Sequence, residues 1–452
     1  MIEDTIVAIA TASGVGAISI VRLSGKNALN IALKISQKAT LTPRVATLSK
    51  IYDYDSILID EALLIYFQNP NSFTGEDIVE FQCHGGIAVT NLVLDTAIKY
   101  GARIATPGEF SKRAYLNNKI DLSQANAISK LIEAKSEDAV KLLAKQLKGE
   151  LKDFVENIRQ DLLFMLAYVE VSIDYAEDDL PDNIYEQIEF KLSNIITELT
   201  NILNISKRRE GLIDGFKVAI VGKPNVGKSS LLNKLLNFNR AIVSDIAGTT
   251  RDTIEESIKV GTHIIKIVDT AGIREATNDT IEQIGIKKSK EAIEEADIII
   301  ALFDNNKEFE DEDKVILELI NEYKKETIFI LNKVDLENNF DKSQLPKIDL
   351  ELIVAKSTNN ISIDLLIDKL TTILDKNSSV SDGITLVSKM QIKAVEKTLE
   401  ETKEAKNILN INQFEFFAYH INQALETISQ ITRPYENDQM LDVMFGEFCL
   451  GK

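Results

Sequence analysis

Gly222, Lys223, Pro224, Asn225, Val226, Gly227, Lys228 and Ser229 fit the pattern G-x-x-x-x-G-K-[ST] between the apolar run Phe216 to Val221 and the helical-looking LLNKLL. In that setting glycines let backbone amides turn toward phosphate oxygens and the next helix offers its positive N-terminus. Lys228 adds a point charge and Ser229 is placed to hold magnesium. Three more segments follow in the order such a site needs. Gly248, Thr249 and Thr250 offer a hydroxyl that completes a magnesium shell once triphosphate is bound. Asp269, Thr270, Ala271 and Gly272 close the strand IIKIV, with a carboxylate to organise magnesium and a glycine amide for the γ-phosphate. Asn332, Lys333, Val334 and Asp335 end ETIFIL, where a carboxylate accepts two hydrogen bonds from the guanine N1 and N2 edge. Adenine lacks that donor pair, and a buried acceptor without donors is costly, so the set selects GTP. A fifth element, Val354 to Ser357, keeps only the Ala-Lys of the usual S-A-K.

The residue after Gly272 is Ile273, so the glutamine that orients water in Ras-like enzymes is absent and another group must take its place. Glu282, downstream in a TNDT stretch, is a candidate; its alternative is a solvated surface acid. Asn225 falls inside the phosphate loop, where its carbonyl is a candidate ligand for a monovalent cation against the β- and γ-phosphates, which would supply the charge an arginine finger otherwise brings.

The elements that must position these residues are legible in the patterning. Between Phe216 and about Lys376, FKVAIVG, HIIKIVD, ADIIIALF and ETIFILN alternate with helical segments, which predicts a doubly wound parallel sheet. From Thr5 to about Asn117 short β-branched runs such as AISIVRL and ALLIYF alternate with helical stretches, a compact α+β unit. From Asp121 apolar residues recur every three or four positions with almost no breakers; an acidic break, Asp174 to Pro181, precedes a helix from about Asn183 to Arg208, ending at Gly211. Helical periodicity returns after Lys376. The two helical blocks flank the α/β unit, so the simplest arrangement is one discontinuous helical domain carrying an inserted α/β domain.

Composition bounds the rest. A chain of 452 residues, 44% apolar and 27% charged, is expected to fold as several modules. Its 51 Lys plus Arg against 70 Asp plus Glu give a net charge of −19, which excludes general electrostatic binding of nucleic acid. The longest unbroken apolar run, Leu162 to Val169, is far below a membrane span, and the acidic start MIEDTIVAIA does not fit a secretory signal. Two cysteines make no disulfide framework, so a reducing cytoplasm is expected, and the three histidines form no cluster with zinc-ligand spacing. Cys83 and His84, at a strand end beside a Gly-Gly turn, read as packing residues.

The phosphate-loop motifs alone specify a GTPase of the broad Era-like group. Taken with DIAGTTRD, DTAGIRE, the N-terminal NSFTGEDIVEFQCHGG and ATPGEFSKRAYLNNKIDLSQA, and the terminal CLGK, the whole chain resembles the MnmE (TrmE) family of tRNA-modification GTPases. The resemblance implies an α+β folate-binding and dimerisation domain over residues 1–118. It also implies a helical domain in two parts, 119–212 and 377–452, and an inserted P-loop, Ras-like G domain over 213–376. Arg22, Glu80, Lys119 and Lys452 correspond to the family's residues for a 5-formyl-tetrahydrofolate type cofactor. Asn225, Val226, Gly227, Lys228, Ser229 and Ser230 would hold phosphates. Ser244, Asp245, Ile246, Ala247, Gly248, Thr249, Thr250, Asp269, Thr270, Ala271, Gly272, Asn332, Lys333 and Asp335 would complete the GTP site. Magnesium would lie on Ser229 and Thr250, and potassium among Asn225, Ser244, Ile246 and Thr249. Glu282 would orient water, with Lys228 as the other catalytic group. Cys449 resembles a tail cysteine that matters for tRNA modification; it is either a stabilised thiolate nucleophile or an inert tail residue. The implied partners are a second copy of the chain, tRNA, and an FAD-carrying MnmG (GidA) type protein in a heterotetramer, with no membrane. The rival reading is a GTP switch in ribosome assembly that performs no modification.

Overall fold

In the computed structural model the described residues are 4–12, 14–134, 136–174, 184–238, 256–268, 290–352, 361–378, 383–409, 413–433 and 451. They fall in two compact units, one built from 1–129, 146–196 and 393–452, the other from 130–145 and 197–392.

The first unit begins with β1 (Ile6–Ile9), β2 (Ile18–Ser24), α1 (Ala28–Ser36), β3 (Thr47–Tyr52), β4 (Leu58–Phe67), β5 (Ile78–His84), α2 (Ile87–Lys99), β6 (Arg103–Ile104) and α3 (Glu109–Leu116). The sheet order is β3-β4-β5-β2-β1-β6, antiparallel except for the β1–β6 pair. Strand alternation sorts its two faces. Val21, Leu23, Val79 and Phe81 point into a core with Ile31, Ile35, Val93 and Ala97 of α1 and α2. The residues between them, Arg22 and Glu80, share the opposite face, and the β2–β5 register sets them directly across from one another.

An ionic network lies where α3 meets the sheet. Arg113, 1% exposed, donates to Asp4 Oδ1 at 2.7 Å, to Glu109 Oε1 at 2.9 Å and to Glu76 at 3.2 Å. Glu109 also accepts from Arg103 at 2.7 Å and from the Thr106 amide at 2.8 Å. Burial pushes the Glu109 carboxyl up, but the hydrogen bonds from Arg103, Thr106 and Arg113 outweigh it and hold the group at about 2 against an ordinary 4.5. A depressed carboxylate stabilises the fold fully above its unfolded value and loses that contribution as pH falls through the folded value. Acid titration should therefore weaken this unit from pH 4.5 down to about 2. Glu109→Gln should flatten that limb in a urea-denaturation series, and an unaltered limb would remove Glu109 as its source.

The helical stretch after α3 resolves into α4 (Leu122–Glu133), α5 (Glu137–Leu147), α6 (Glu150–Asp174) and α7 (Ile184–Asp214). The expected stop at Gly211 is not where α7 ends. A Cβ at Gly211 would fall 2.3 Å from the Phe216 ring, so this glycine serves close packing inside the helix, and the chain turns at Gly215, whose φ is 90°.

The second unit contains β7 (Phe216–Val221), α8 (Lys228–Phe238), β8 (Glu256–Val260), β9 (His263–Val268), β10 (Ile298–Asp304), α9 (Asp311–Tyr323), β11 (Glu326–Asn332), β12 (Leu350–Leu352) and α10 (Ile361–Ser378). Strand order is β12-β11-β10-β7-β9-β8, parallel apart from the β8–β9 pair. Both faces are covered, which is why the strands read as near-continuous apolar runs. Ile298, Ile300, Ile328 and Ile330 pack with Leu231, Leu235 and Leu366 on one side. Ile299, Phe303, Phe329 and Leu331 pack with Ile293, Ile316 and Ile320 on the other. The strands that follow β7 build outward on one side of it through β9 and on the other through β10. The crevice at its carboxyl end is thus the topological switch point, where sheets of this kind take ligands. The last helices are α11 (Lys389–Leu409) and α12 (Phe414–Ser429). In the first unit α12 is joined to α6 by a 3.0 Å bond from Arg159 Nε to Ser429 Oγ.

Among the described residues no helix is long and apolar enough to cross a membrane.

Candidate functional site

The phosphate-loop segment leaves β7 at the switch point and enters α8 at Lys228. Asn225 and Gly227 have positive φ, 63° and 108°. Lys228 Nζ donates to the carbonyls of Gly222 at 2.6 Å and Lys223 at 2.9 Å. An ammonium has three protons, so this arrangement leaves one for a phosphate oxygen. Burial pulls the Lys228 ammonium below its ordinary value, with Glu312 opposing that shift. Ser229 and Ser230 are exposed in the first turn of α8, where helix amides and hydroxyls meet an anion and its metal.

The β11 end is bonded to this loop. Asn332 Nδ2 donates to the Val226 carbonyl at 2.7 Å, and Lys333 Nζ donates to the Asn225 carbonyl at 2.8 Å and to Asp304 Oδ2 at 2.6 Å. Register explains the convergence: β10 and β11 are parallel with Asp304 opposite Asn332, so both strands end at the same level beside the loop. Asn332 and Lys333 belong to a recognisable motif, whereas Asp304, an acid at a strand end, carries none. Asp335 follows in the turn after Lys333.

In the first unit, Arg22 donates from Nε to Glu80 Oε1 at 2.8 Å, and its guanidinium lies 5.7 Å from the centre of the Phe110 ring. The two residues singled out together are therefore in contact. Lys119 is exposed, with its stem against Gly75, where a Cβ would come within 3.0 Å of Lys119 Cε. The segment holding Gly75 is tied to the end of β2 by a 2.7 Å bond between Thr74 Oγ1 and Ser24 Oγ, and to α3's end by Asn117 donating to the Thr74 carbonyl at 2.7 Å. Cys83 is buried in the core and its thiol is pushed up to about 12 by burial, with Asp60 adding to the shift, which fits a packing role. His84 instead faces solvent and pairs with Asp60 at 2.7 Å.

Ser244, Asp245, Ile246, Ala247, Gly248, Thr249, Thr250, Asp269, Thr270, Ala271, Gly272, Glu282, Cys449 and Lys452 lie outside the described residues. So does the Val354–Ser357 segment.

A doubly wound sheet with this glycine-rich loop at its switch point, bonded to an Asn-Lys strand end, is the architecture of a P-loop GTPase. Residues 122–449 match the family model described as the MnmE helical domain, and residues 5–119 match that of the GTP-binding protein TrmE N-terminus. The chain belongs to the MnmE (TrmE) family of tRNA modification GTPases. It is 65% identical over 451 residues to the tRNA modification GTPase MnmE of Aliarcobacter butzleri, covering 100% of this chain and 99% of that one. With the proteins of the same name from Nitratiruptor sp. and Sulfurimonas denitrificans, identity is 58% and 56%, each over 100% of this chain and covering 99% and 100% of theirs. A solved structure of Aquifex aeolicus Era bound to GDP and aluminium fluoride is 27% identical, covers 42% of this chain and 66% of its own, and has a TM-score of 0.26. The chain is a GTP hydrolase that acts in tRNA modification.

Proposed function

We propose that this GTPase requires magnesium and potassium and works with an FAD-binding protein of the MnmG (GidA) type. Together they add an aminomethyl or carboxymethylaminomethyl group at C5 of the wobble uridine of certain tRNAs, using a one-carbon unit from a tetrahydrofolate. The observation that carries this reading is the full-length kinship, which includes the N-terminal α+β domain as well as the GTPase domain. A bare GTP switch has no use for that domain. The protein works as a cytoplasmic homodimer, with domain limits 1–118, 119–212, 213–376 and 377–452.

Within the GTPase domain Lys228 neutralises phosphate charge and Ser229 offers its exposed hydroxyl to magnesium. The backbone carbonyl of Asn225 accepts from the Lys333 ammonium, and the side-chain amide oxygen at this position is offered to potassium. Asp335 accepts from the guanine edge, and Glu282 orients the attacking water. Ser229 and Asn225 would hold magnesium and potassium, and those ions, when bound, would supply positive charge to the phosphates. In the first unit Glu80, held by the Arg22 guanidinium, offers a carboxylate to the pterin donors of a folate, while the glutamyl carboxylate at the far end of that molecule calls for a cation elsewhere. Lys119 adds an exposed cation to the cofactor site and Lys452 a further positive charge, and Cys449 is the tail's candidate nucleophile in tRNA modification.

Two results are expected at the nucleotide. Asp335→Asn should weaken GTP affinity at least about tenfold, because it removes charge-assisted bonds to the guanine edge; equal affinities by fluorescence titration would strike Asp335 from the site. Turnover in potassium should exceed turnover in sodium at equal ionic strength, and equal rates would remove Asn225 from its role. The reading as a whole is tested by mass analysis of tRNA wobble nucleosides from cells with and without the gene. Loss of the C5-modified uridine is expected; an unchanged profile would leave the GTP switch in ribosome assembly.

A further inference from the structure

The first variable position of the phosphate-loop motif is occupied by a residue that no part of the nucleotide chemistry requires. Lys223 is 4% exposed overall, and its ammonium is held by Asp313 Oδ2 at 2.7 Å, Glu310 Oε2 at 2.7 Å and the Glu308 carbonyl at 3.4 Å. Both carboxylates are fixed in turn. They form a reciprocal cap on the first turn of α9, with the Glu310 amide donating to Asp313 Oδ2 at 3.1 Å, and Asp313 is fully buried. A buried ion pair is a weak source of stability, because desolvating two charges offsets most of their attraction, and apolar side chains of similar volume serve packing as well. What the ion pair does supply is a fixed position for the main chain at 223.

That main chain is in use. The carbonyl of Lys223 is one of the two that grip the Lys228 ammonium, at 2.9 Å, the other being that of Gly222. The Lys223 side chain is anchored to α9 while its carbonyl orients the lysine that meets the phosphates. We infer that Lys223 is a positioning residue for nucleotide binding, acting through Lys228 by an anchor on the capped N-terminus of α9. The catalytic charge stays with Lys228; the anchor sets where that charge stands.

The test is the affinity of the full-length protein for a fluorescent GDP, measured for Lys223→Met with Lys228 intact and again in a Lys228→Ala background. With Lys228 present the substitution should weaken binding about tenfold, the scale of a misplaced charge-assisted bond. Without Lys228 it should cost less than about twofold, since residues acting through one another are not additive. Unchanged affinity in the first background, or the same loss in both, would overturn the inference. If Lys223→Met does not fold, the isosteric Asp313→Asn removes the buried charge that holds the anchor and is read by the same two measurements and the same two criteria.

Discussion

Gly227→Ala should reduce GTP turnover by more than about a hundredfold while leaving the first unit folded. Two effects coincide at this position. Its φ of 108° is one that side-chain-bearing residues rarely adopt, and an added Cβ would lie 2.4 Å from Asn332 Nδ2. That amide is the donor to the Val226 carbonyl, so the methyl group either displaces Asn332 or rotates the loop away from it. Each outcome moves the phosphate-facing amides by the order of an ångström, enough to cost about a hundredfold in a positioned reaction. The measurement is steady-state GTP hydrolysis together with hydrogen exchange of the β1 and β2 amides. Turnover within a few-fold of the parent protein would show that the loop tolerates a side chain here and that the Asn332 bond is dispensable.

Arg113→Met should produce the largest loss of stability in the first unit, about 3–5 kcal/mol. The guanidinium is 1% exposed and touches Asp4, Glu76 and Glu109, and methionine keeps much of the volume while removing all of the charge. Glu109 keeps Arg103, but among the described residues Glu76 keeps only the Ser24 hydroxyl, so a half-buried carboxylate is left without a cation. Because whole domains are stable by only about 5–15 kcal/mol, the β1–β6 sheet should open at denaturant concentrations where the parent is intact. A shift below about 1 kcal/mol in urea unfolding would mean that the network is screened by water and structurally minor.

How far the sequence carried depended on whether a feature is local. The phosphate loop is a run of eight residues whose backbone conformation is dictated by its own glycines, so its place between β7 and α8 was legible from spacing alone. The parallel sheet was equally legible, because burial on both faces turns each strand into an apolar run. Gly211 shows the opposite case. A glycine at the end of an apolar period reads as a helix stop, and only the position of the Phe216 ring reveals the competing reason for it. The anchor at Lys223 was invisible for a related reason: its partners lie 87 and 90 residues away, and nothing in the motif constrains the first variable position. Arg22 and Glu80, 58 residues apart, belong to one set by resemblance to the family. That they bond to each other follows only from the β2–β5 register.

The bond between Asn332 and Val226 spans 106 residues of chain. Closing so long a loop has an entropic cost that rises only with the logarithm of its length, and the parallel pairing of β7, β10 and β11 already brings those ends together. The relative placement of the Asn332–Asp335 strand end and the phosphate loop is thus settled when the sheet forms. A nucleotide spanning both meets two halves of its site at a preset separation, and base and phosphates are measured against one ruler. Shortened or lengthened analogues, such as a guanosine with an extra methylene between ribose and the α-phosphate, should lose affinity steeply.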